Sequence, residues 1–255
     1  MAWAKLPYTI VVPTVYGRML LNRNDINQTG ALVKTGMAPD HAEIVYLTQI
    51  LDLIPEEKKV VIDVGANMGT YTLAMAHHLG AAGTVYALEP QRLVFQLLCG
   101  SVALNSLPNV HCLHAAAGAE AGRIPIPQYD YFQPLNFGSI EFGEHQREPL
   151  HQERGRDAAR HELVDRITID SLELPALHIL KIDAEGMEFE VIAGARDTIA
   201  RCSPVIHVEH LKVDKVELAR LLKQMDYAVF DLQQDYLCIP AKYESAIRIS
   251  GVTQA

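Results

Sequence analysis

Short apolar runs, each closed by an acid or a glycine turn, alternate along the middle of this chain with longer stretches whose apolar residues recur at helical spacing. The first pattern predicts strands and the second predicts helices. Strands are expected at residues 59–64, 84–88, 110–115, 178–182 and 204–209, with helices at 70–79, 92–104, 187–195 and 213–225 between or after them. Residues 227–232 and 236–240 read as an antiparallel pair joined by a tight connection at 233–235. Runs of β-branched residues without polar alternation suit strands buried on both faces. The order predicts an α/β fold with a doubly wound, mostly parallel seven-stranded sheet.

Two stretches fall outside this alternation. Residues 1–57 form an N-terminal extension: apolar runs at 8–12 and 15–21 read as a hairpin or two edge strands, and 40–53 as a helix. The Gly- and Thr-rich segment 27–39 is expected to be loop, able to fold over a pocket. Residues 126–164 are a long, largely polar insertion between the third and fourth strands, a length more often functional than incidental. Its first part is aromatic and suits a ligand-binding lip; its charged second part, 141–161, reads as a mobile or helical lid. The whole is expected to be one domain over 1–255.

The strand ends carry the candidate chemistry. Val60 to Gly69 reads V-V-I-D-V-G-A-N-M-G, a buried strand running into a glycine turn and a helix. Gly65 and Gly69 allow backbone to approach a ligand with no Cβ in the way, and the helix start favours an anionic group. Glu89, ending the second strand, is placed to accept hydrogen bonds from two ribose hydroxyls. A dinucleotide fingerprint would need a glycine where Asn67 stands. Asp63 would repel a pyrophosphate but attract an ammonium, so S-adenosylmethionine fits better than NAD. Asp63 and Gly65 are then expected to hold the methionine end. Asn67 either caps the helix or touches the donor carboxylate, unless it is a left-handed turn residue.

Asp63 to Leu73 resembles the cofactor loop of the FkbM family of methyltransferases. The resemblance continues through Glu89-Pro90, Asn136-Phe137-Gly138-Ser139, the run from Leu180 to Glu188 that contains Asp183-Ala184-Glu185-Gly186, and Val191 to Ala195, covering roughly residues 40–210. It implies a class I, Rossmann-like methyltransferase fold, S-adenosylmethionine as donor, and O-methylation of a hydroxyl on a sugar, polyketide or other natural product. The expected cofactor-binding set is Asp63, Gly65, Asn67, Gly69, Thr70, Glu89, Pro90, Ala116, Asn136 and Asp183. Many such enzymes place an acid after the third strand to hold adenine; here the chain reads His114-Ala115-Ala116-Ala117, which leaves backbone and small apolar groups for that task.

Methylating an oxygen requires the hydroxyl to be aimed and deprotonated, which calls for a general base. Asp183, at a strand end beside the donor turn, and His210, after the neighbouring strand, are the candidates; histidine titrates at about 6.5 when unperturbed. Tyr131, Phe132, Phe137, Ser139, Glu185 and Glu209 are expected to touch the acceptor. Asp183 and Glu185 could instead charge the start of the next helix. Asp183, Glu209 and His210 could together hold a divalent ion, although no metal is expected. The alternatives are an N- or C-methyltransferase with the same donor site, or a methyltransferase-like binding module without turnover.

Composition narrows the partners. Hydrophobic residues make up 49% and charged residues 21% of 255, ordinary globular usage. A net charge of −9 without clustered Lys and Arg argues against nucleic acid. No apolar run reaches the roughly 18 residues of a membrane span, so a cytoplasmic protein acting on a small-molecule hydroxyl acceptor is expected, with homo-oligomerisation left open. The cysteines at 99, 112, 202 and 238 lack metal-site spacing and read as core thiols.

Overall fold

In the computed structural model, which describes residues 6–142, 150 and 161–248, the run Lys59–Val64 is a strand whose alternate side chains feed two separate cores. Val61 joins Leu47, Leu51 and Met75 on one face of the sheet, while Ile62 and Val64 join Leu180, Ile182, Val191 and Leu222 on the other. This is the pattern of a central strand covered by helices on both sides.

In chain order the elements are β1 (Thr9–Thr14), β2 (Gly17–Asn22), α1 (Gln28–Thr35), α2 (His41–Leu53), β3 (Lys59–Val64), α3 (Thr70–Leu79), β4 (Gly83–Leu88), α4 (Arg92–Leu104), β5 (Val110–Leu113), β6 (Ala116–Ala117), β7 (Gly122–Pro127), β8 (His161–Ile167), β9 (Ile179–Ile182), α5 (Glu188–Ala193), α6 (Arg196–Cys202), β10 (Val205–Glu209), α7 (Lys215–Gln224), β11 (Tyr227–Asp231) and β12 (Asp235–Pro240). The main sheet has the order β11-β12-β10-β9-β3-β4-β5, with β12 antiparallel to both neighbours and the other pairs parallel. The chain winds outward from β3 through β4 to β5, then returns to β9 on the other side. The β3/β9 boundary is therefore the switch point, where a crevice opens beyond the strand ends.

Three expectations change. Residues 27–39 are not all loop: α1 buries Thr29 and Leu32, Asp25 Oδ2 accepts from the Thr29 N–H at 2.6 Å, and Gly36 closes the helix at φ +74°. Its side chains reach the donor turn from outside, Gln28 Nε2 donating to Thr70 Oγ1 at 3.4 Å. The insertion is bracketed by an antiparallel β7–β8 pair, with β6 alongside, so 126–164 does not begin or end as loop. Pro125 and Pro127 obscure that strand in the sequence, although Ile124 and Ile126 point inward from it. Helix α6 stands where the sequence pattern assigns no element, between the helix expected at 187–195 and the strand at 204–209. The lid expected at 141–161 falls mostly outside the described residues.

The hairpin β1–β2 lies against α4: the Leu20 N–H donates to Ser101 Oγ at 2.9 Å and the Arg18 N–H to Asn105 Oδ1 at 2.9 Å. Among the described residues no helix is long and apolar enough to cross a membrane.

Candidate active site

Beyond the ends of β3, β4 and β9 lies a pocket open to solvent, lined by Gly65, Asn67, Glu89, Pro90, Gln91, Ala115, Ala116, Ala117, Gly138, Phe142, Asp183, Glu185 and Met187, among others. The turn after β3 shapes one wall. Gly65 has φ +72°, and a Cβ there would lie 1.8 Å from the Asp183 carbonyl oxygen, so only glycine lets the ends of β3 and β9 approach so closely. Asn67 is left-handed at φ +50°, as its turn-residue reading anticipated, yet it also lines the cavity, with a buried Oδ1 that has no hydrogen-bond partner.

Glu89 sits at the cavity floor, 3% exposed. Its Oε2 accepts from the Asn67 N–H at 2.9 Å and its Oε1 from the Gln91 N–H at 2.8 Å. Burial pushes its carboxyl up to about 7, against those two bonds, which favour the charged form. Each oxygen keeps a lone pair for a further donor. Gln91, which nothing in the sequence singled out, is itself fixed: its Nε2 donates to the Phe137 carbonyl at 2.9 Å and its Oε1 accepts from the Tyr131 hydroxyl at 3.3 Å.

Asp63 is placed differently from the expectation. Its side chain is fully buried and does not line the cavity. Strand register explains this: Asp63 pairs directly with Lys181 of β9, so the two side chains project on the same face, beneath the turn. Lys181 Nζ lies 3.3 Å from Asp63 Oδ1 and 3.6 Å from Asp183 Oδ2, and donates to the carbonyls of Gly65 at 3.1 Å and Val64 at 3.3 Å. Thr72 Oγ1 donates to Asp63 Oδ2 at 2.6 Å. Burial disfavours the Lys181 charge, but Asp63 and Asp183 outweigh it and hold the ammonium charged. Asp63 thus supports the turn at Gly65 from below.

Gly69 and Thr70 are also structural in position. Gly69, at φ +100°, precedes α3, and Thr70 is buried beside Gln28; neither lines the cavity. Pro90 and Ala116 do line it.

Asp183 reaches the cavity, half-buried, with an Oδ1 that has no hydrogen-bond partner. The turn that follows it is held by Glu188, whose Oε1 accepts from the N–H groups of Ala184 at 3.0 Å and Gly186 at 3.2 Å. Glu185, left-handed at φ +55°, lines the cavity and pairs with Lys212. Burial and the Asp183 charge raise its carboxyl, while Lys212 opposes them. Glu209 lies 4.0 Å from the same ammonium and does not line the cavity.

His210 turns away. Its ring lies 4.5 Å from that of Tyr236, its Nε2 is 3.6 Å from Asp231 Oδ1 on the edge strand β11, and it does not line the cavity. Burial and the Lys215 charge lower its proton affinity. The structure therefore separates His210 from Asp183, and the metal set of Asp183, Glu209 and His210 does not converge. Among the described residues no group of three or more His, Cys, Asp or Glu could hold a metal ion.

The aromatic lip is mostly packing. Tyr131 and Phe137 stack on each other at 4.5 Å, buried to 5% and 1% exposure, and Phe132 sits edge-on to Tyr8 of the N-terminal segment, 5.2 Å away. Asn136 Nδ2 donates to Ser139 Oγ at 2.7 Å, and neither lines the cavity. From this segment Gly138 and Phe142 do line it, and a Cβ at Gly138 would come within 2.9 Å of Asn67 Nδ2.

Residues 63–231 match the Methyltransferase FkbM domain. The methyltransferase sdnD of Sordaria araneosa is 27% identical, over 52% of this chain and 59% of its own. The crystal structure of a methyltransferase FkbM from Methylobacillus flagellatus KT superposes with a TM-score of 0.51 at 18% identity, over 71% of this chain and 43% of that one. The chain thus spans about half the length of these relatives.

Proposed function

Since the chain belongs to the FkbM methyltransferase family, with a domain match over residues 63–231, we propose that it binds S-adenosylmethionine and methylates a hydroxyl oxygen of a small molecule. Its fold is the Rossmann-like class I methyltransferase fold, with the cavity at the β3/β9 switch point. The observation that carries the reading is Glu89: a buried carboxylate at a strand end, anchored by two backbone N–H groups, with lone pairs left for two adjacent ribose hydroxyls.

The remaining lining fits the rest of the donor. Gly65 and Asn67 form the turn against which the methionine end would lie, Asn67 Oδ1 being a buried acceptor suited to an ammonium. Pro90, Ala115, Ala116, Ala117, Phe142 and Met187 offer an apolar slot for adenine in place of the acid absent after β5.

The donor supplies an electrophilic methyl group on a sulfonium. This chain's part is to aim the acceptor oxygen and remove its proton. Asp183 is the group placed to do so: as the O–CH₃ bond forms and the S–CH₃ bond breaks, its half-exposed carboxylate takes the hydroxyl proton. Lys181 holds that carboxylate through Oδ2 and, through the Gly65 carbonyl, the donor turn, so base and donor share one support.

Titration calorimetry with S-adenosylhomocysteine tests the donor site. Binding is expected, with a loss of about tenfold or more in Glu89→Ala, roughly the worth of a charge-assisted hydrogen bond; absence of binding in the parent protein would overturn the reading. The mass and position of the methylated product with an acceptor panel test the O-methyl assignment against N- or C-methylation.

A further inference from the structure

Asp183, Glu209 and Asp235 stand abreast. Ile182 pairs with Val208 across β9–β10 and Glu209 with Asp235 across β10–β12, so the three acids end neighbouring strands on one level. Alternation puts their side chains on the same face as Lys181 and His207, the face covered by α2 and α3. Adjacent strands lie about 4.8 Å apart, which makes these three carboxylates near neighbours. The next strand-end residue in line is Gly65, at the donor turn, and Asp183 lines the donor cavity itself.

Acidic side chains outnumber lysines here. Among the described residues the lysines within ion-pair distance are Lys181, shared by Asp63 and Asp183, and Lys212, shared by Glu185 and Glu209. Among the described residues Asp235 has His207 alone within ion-pair distance, 3.9 Å away, and burial and the Lys181 charge push the protonation of that ring down to about 3. Asp40, the residue before α2, adds a further acid within electrostatic reach of Asp183 and Lys181, and Tyr71 of α3 faces it.

A second observation points to a ligand. His207 is 1% exposed, and neither ring nitrogen has a hydrogen-bond partner, though one faces Asp235. Asp183 Oδ1, Glu209 Oε2 and Asp40 Oδ1 are likewise buried acceptors without a bond. Buried polar atoms in native proteins are nearly always paired, so unpartnered acceptors grouped at neighbouring strand ends point to a donor-rich, positively charged ligand.

We propose that Asp183, Glu209 and Asp235 form an ammonium-binding subsite for the acceptor, so that the molecule methylated is an amino-bearing polyol such as an aminosugar. This rests on the donor reading above, and it adds a substrate class: the amine is gripped by the acids of β10 and β12 while a neighbouring hydroxyl meets Asp183. Before the amine arrives, burial favours the protonated form of the two acids of β10 and β12, Asp235 being pushed up to about 7 and Glu209 also raised, so binding a cation there releases protons.

The test uses the full chain saturated with S-adenosylhomocysteine and three methyl glycosides: methyl 2-amino-2-deoxyglucoside, its N-acetyl derivative and methyl glucuronide. Calorimetry near pH 7 in two buffers of different ionisation enthalpy is expected to show the amine binding at least about tenfold more tightly than the N-acetyl form, with proton release. Asp235→Asn and Glu209→Gln should each weaken the amine by about tenfold while S-adenosylhomocysteine affinity stays within about twofold; either variant suffices if the other does not fold. No binding of the amine, equal binding of the N-acetyl form, tighter binding of the glucuronide, or Mg²⁺ alone binding in competition with the amine overturns the proposal. Failure of S-adenosylhomocysteine to bind would instead overturn the donor reading.

Discussion

Lys181 and Asp63 face each other across neighbouring strands, 3.3 Å apart and almost wholly out of water. The pair is directly in register, and the same ammonium also holds Asp183 and the Gly65 carbonyl. One buried cation therefore joins the donor turn to the candidate base.

Removing that cation should be costly. Lys181→Met leaves Asp63 with Thr72 as its one side-chain partner among the described residues, an uncompensated buried charge whose cost is about 3–5 kcal/mol. Chemical denaturation checks this, and Asp63→Asn in the Lys181→Met background should recover part of the loss. A single-variant loss below about 1 kcal/mol would mean that the pair is not what holds the turn.

Glu89 predicts a pH dependence with a defined sign. Its folded pKa, about 7, lies above the ordinary value of 4.5, so the fold favours the protonated carboxyl. That contribution is complete below about 4.5 and is lost as pH rises through about 7, amounting to about 3 kcal/mol for a shift of this size. Ribose hydroxyls donating to the carboxylate favour the opposite, charged form, so donor affinity should rise between about pH 6 and pH 8 with release of a proton. Thermal melts and calorimetry of Glu89→Gln should show both dependences flattened; an unchanged pH slope in that variant would refute the assignment.

What was legible in the sequence was local. The glycine turn, Glu89 and the helices at 70–79 and 92–104 depend on short-range spacing, and each stands in the fold where it was expected. Asp63 was drawn to the ligand because its pairing with Lys181 spans a long stretch of chain that no local pattern encodes. His210 was placed near Asp183 because consecutive parallel strands end side by side; beyond the last paired residue its side chain turns instead to Asp231 and Tyr236. Tyr131 and Phe137 carry aromatic rings at a lip, and their composition cannot distinguish rings that line a cavity from rings that support it. Helix α1 was hidden by its Thr and Gly content, which the buried Thr29 and Leu32 override.

The supporting role of those rings makes a separable prediction. Phe137→Ala empties a site of 1% exposure stacked on Tyr131, and should cost about 3–5 kcal/mol. Phe132→Ala, at 40% exposure, should cost about 1 kcal/mol or less. Denaturation of both variants checks the contrast, and equal losses would contradict it.

Gly65→Ala tests the close approach of β3 and β9. The added Cβ would lie 1.8 Å from the Asp183 carbonyl, and φ +72° costs an L-residue about 1–2 kcal/mol before any overlap. The strand ends must part, so S-adenosylhomocysteine affinity should fall more steeply than stability. A variant that binds as tightly as the parent would show that the turn is not the donor wall.

Asp183 and His210 were equivalent candidates for the base, and the geometry separates them. Asp183 lines the cavity with a half-exposed carboxylate, whereas His210 is held between Tyr236 and Asp231 and does not reach it. Asp183→Asn keeps the shape and loses the proton acceptor, so methyl transfer should fall by about 10²–10⁴, the usual worth of a general base. His210→Gln should leave the rate within about threefold, because its ring acts on the edge of the sheet rather than on the acceptor. Lys181 retains Asp63 when Asp183 is neutral, so S-adenosylhomocysteine affinity in Asp183→Asn should hold close to the parent value and separate chemistry from donor binding. Single-turnover methyl transfer measured beside that affinity decides the matter: a large loss in His210→Gln with Asp183→Asn still active would move the base to β10.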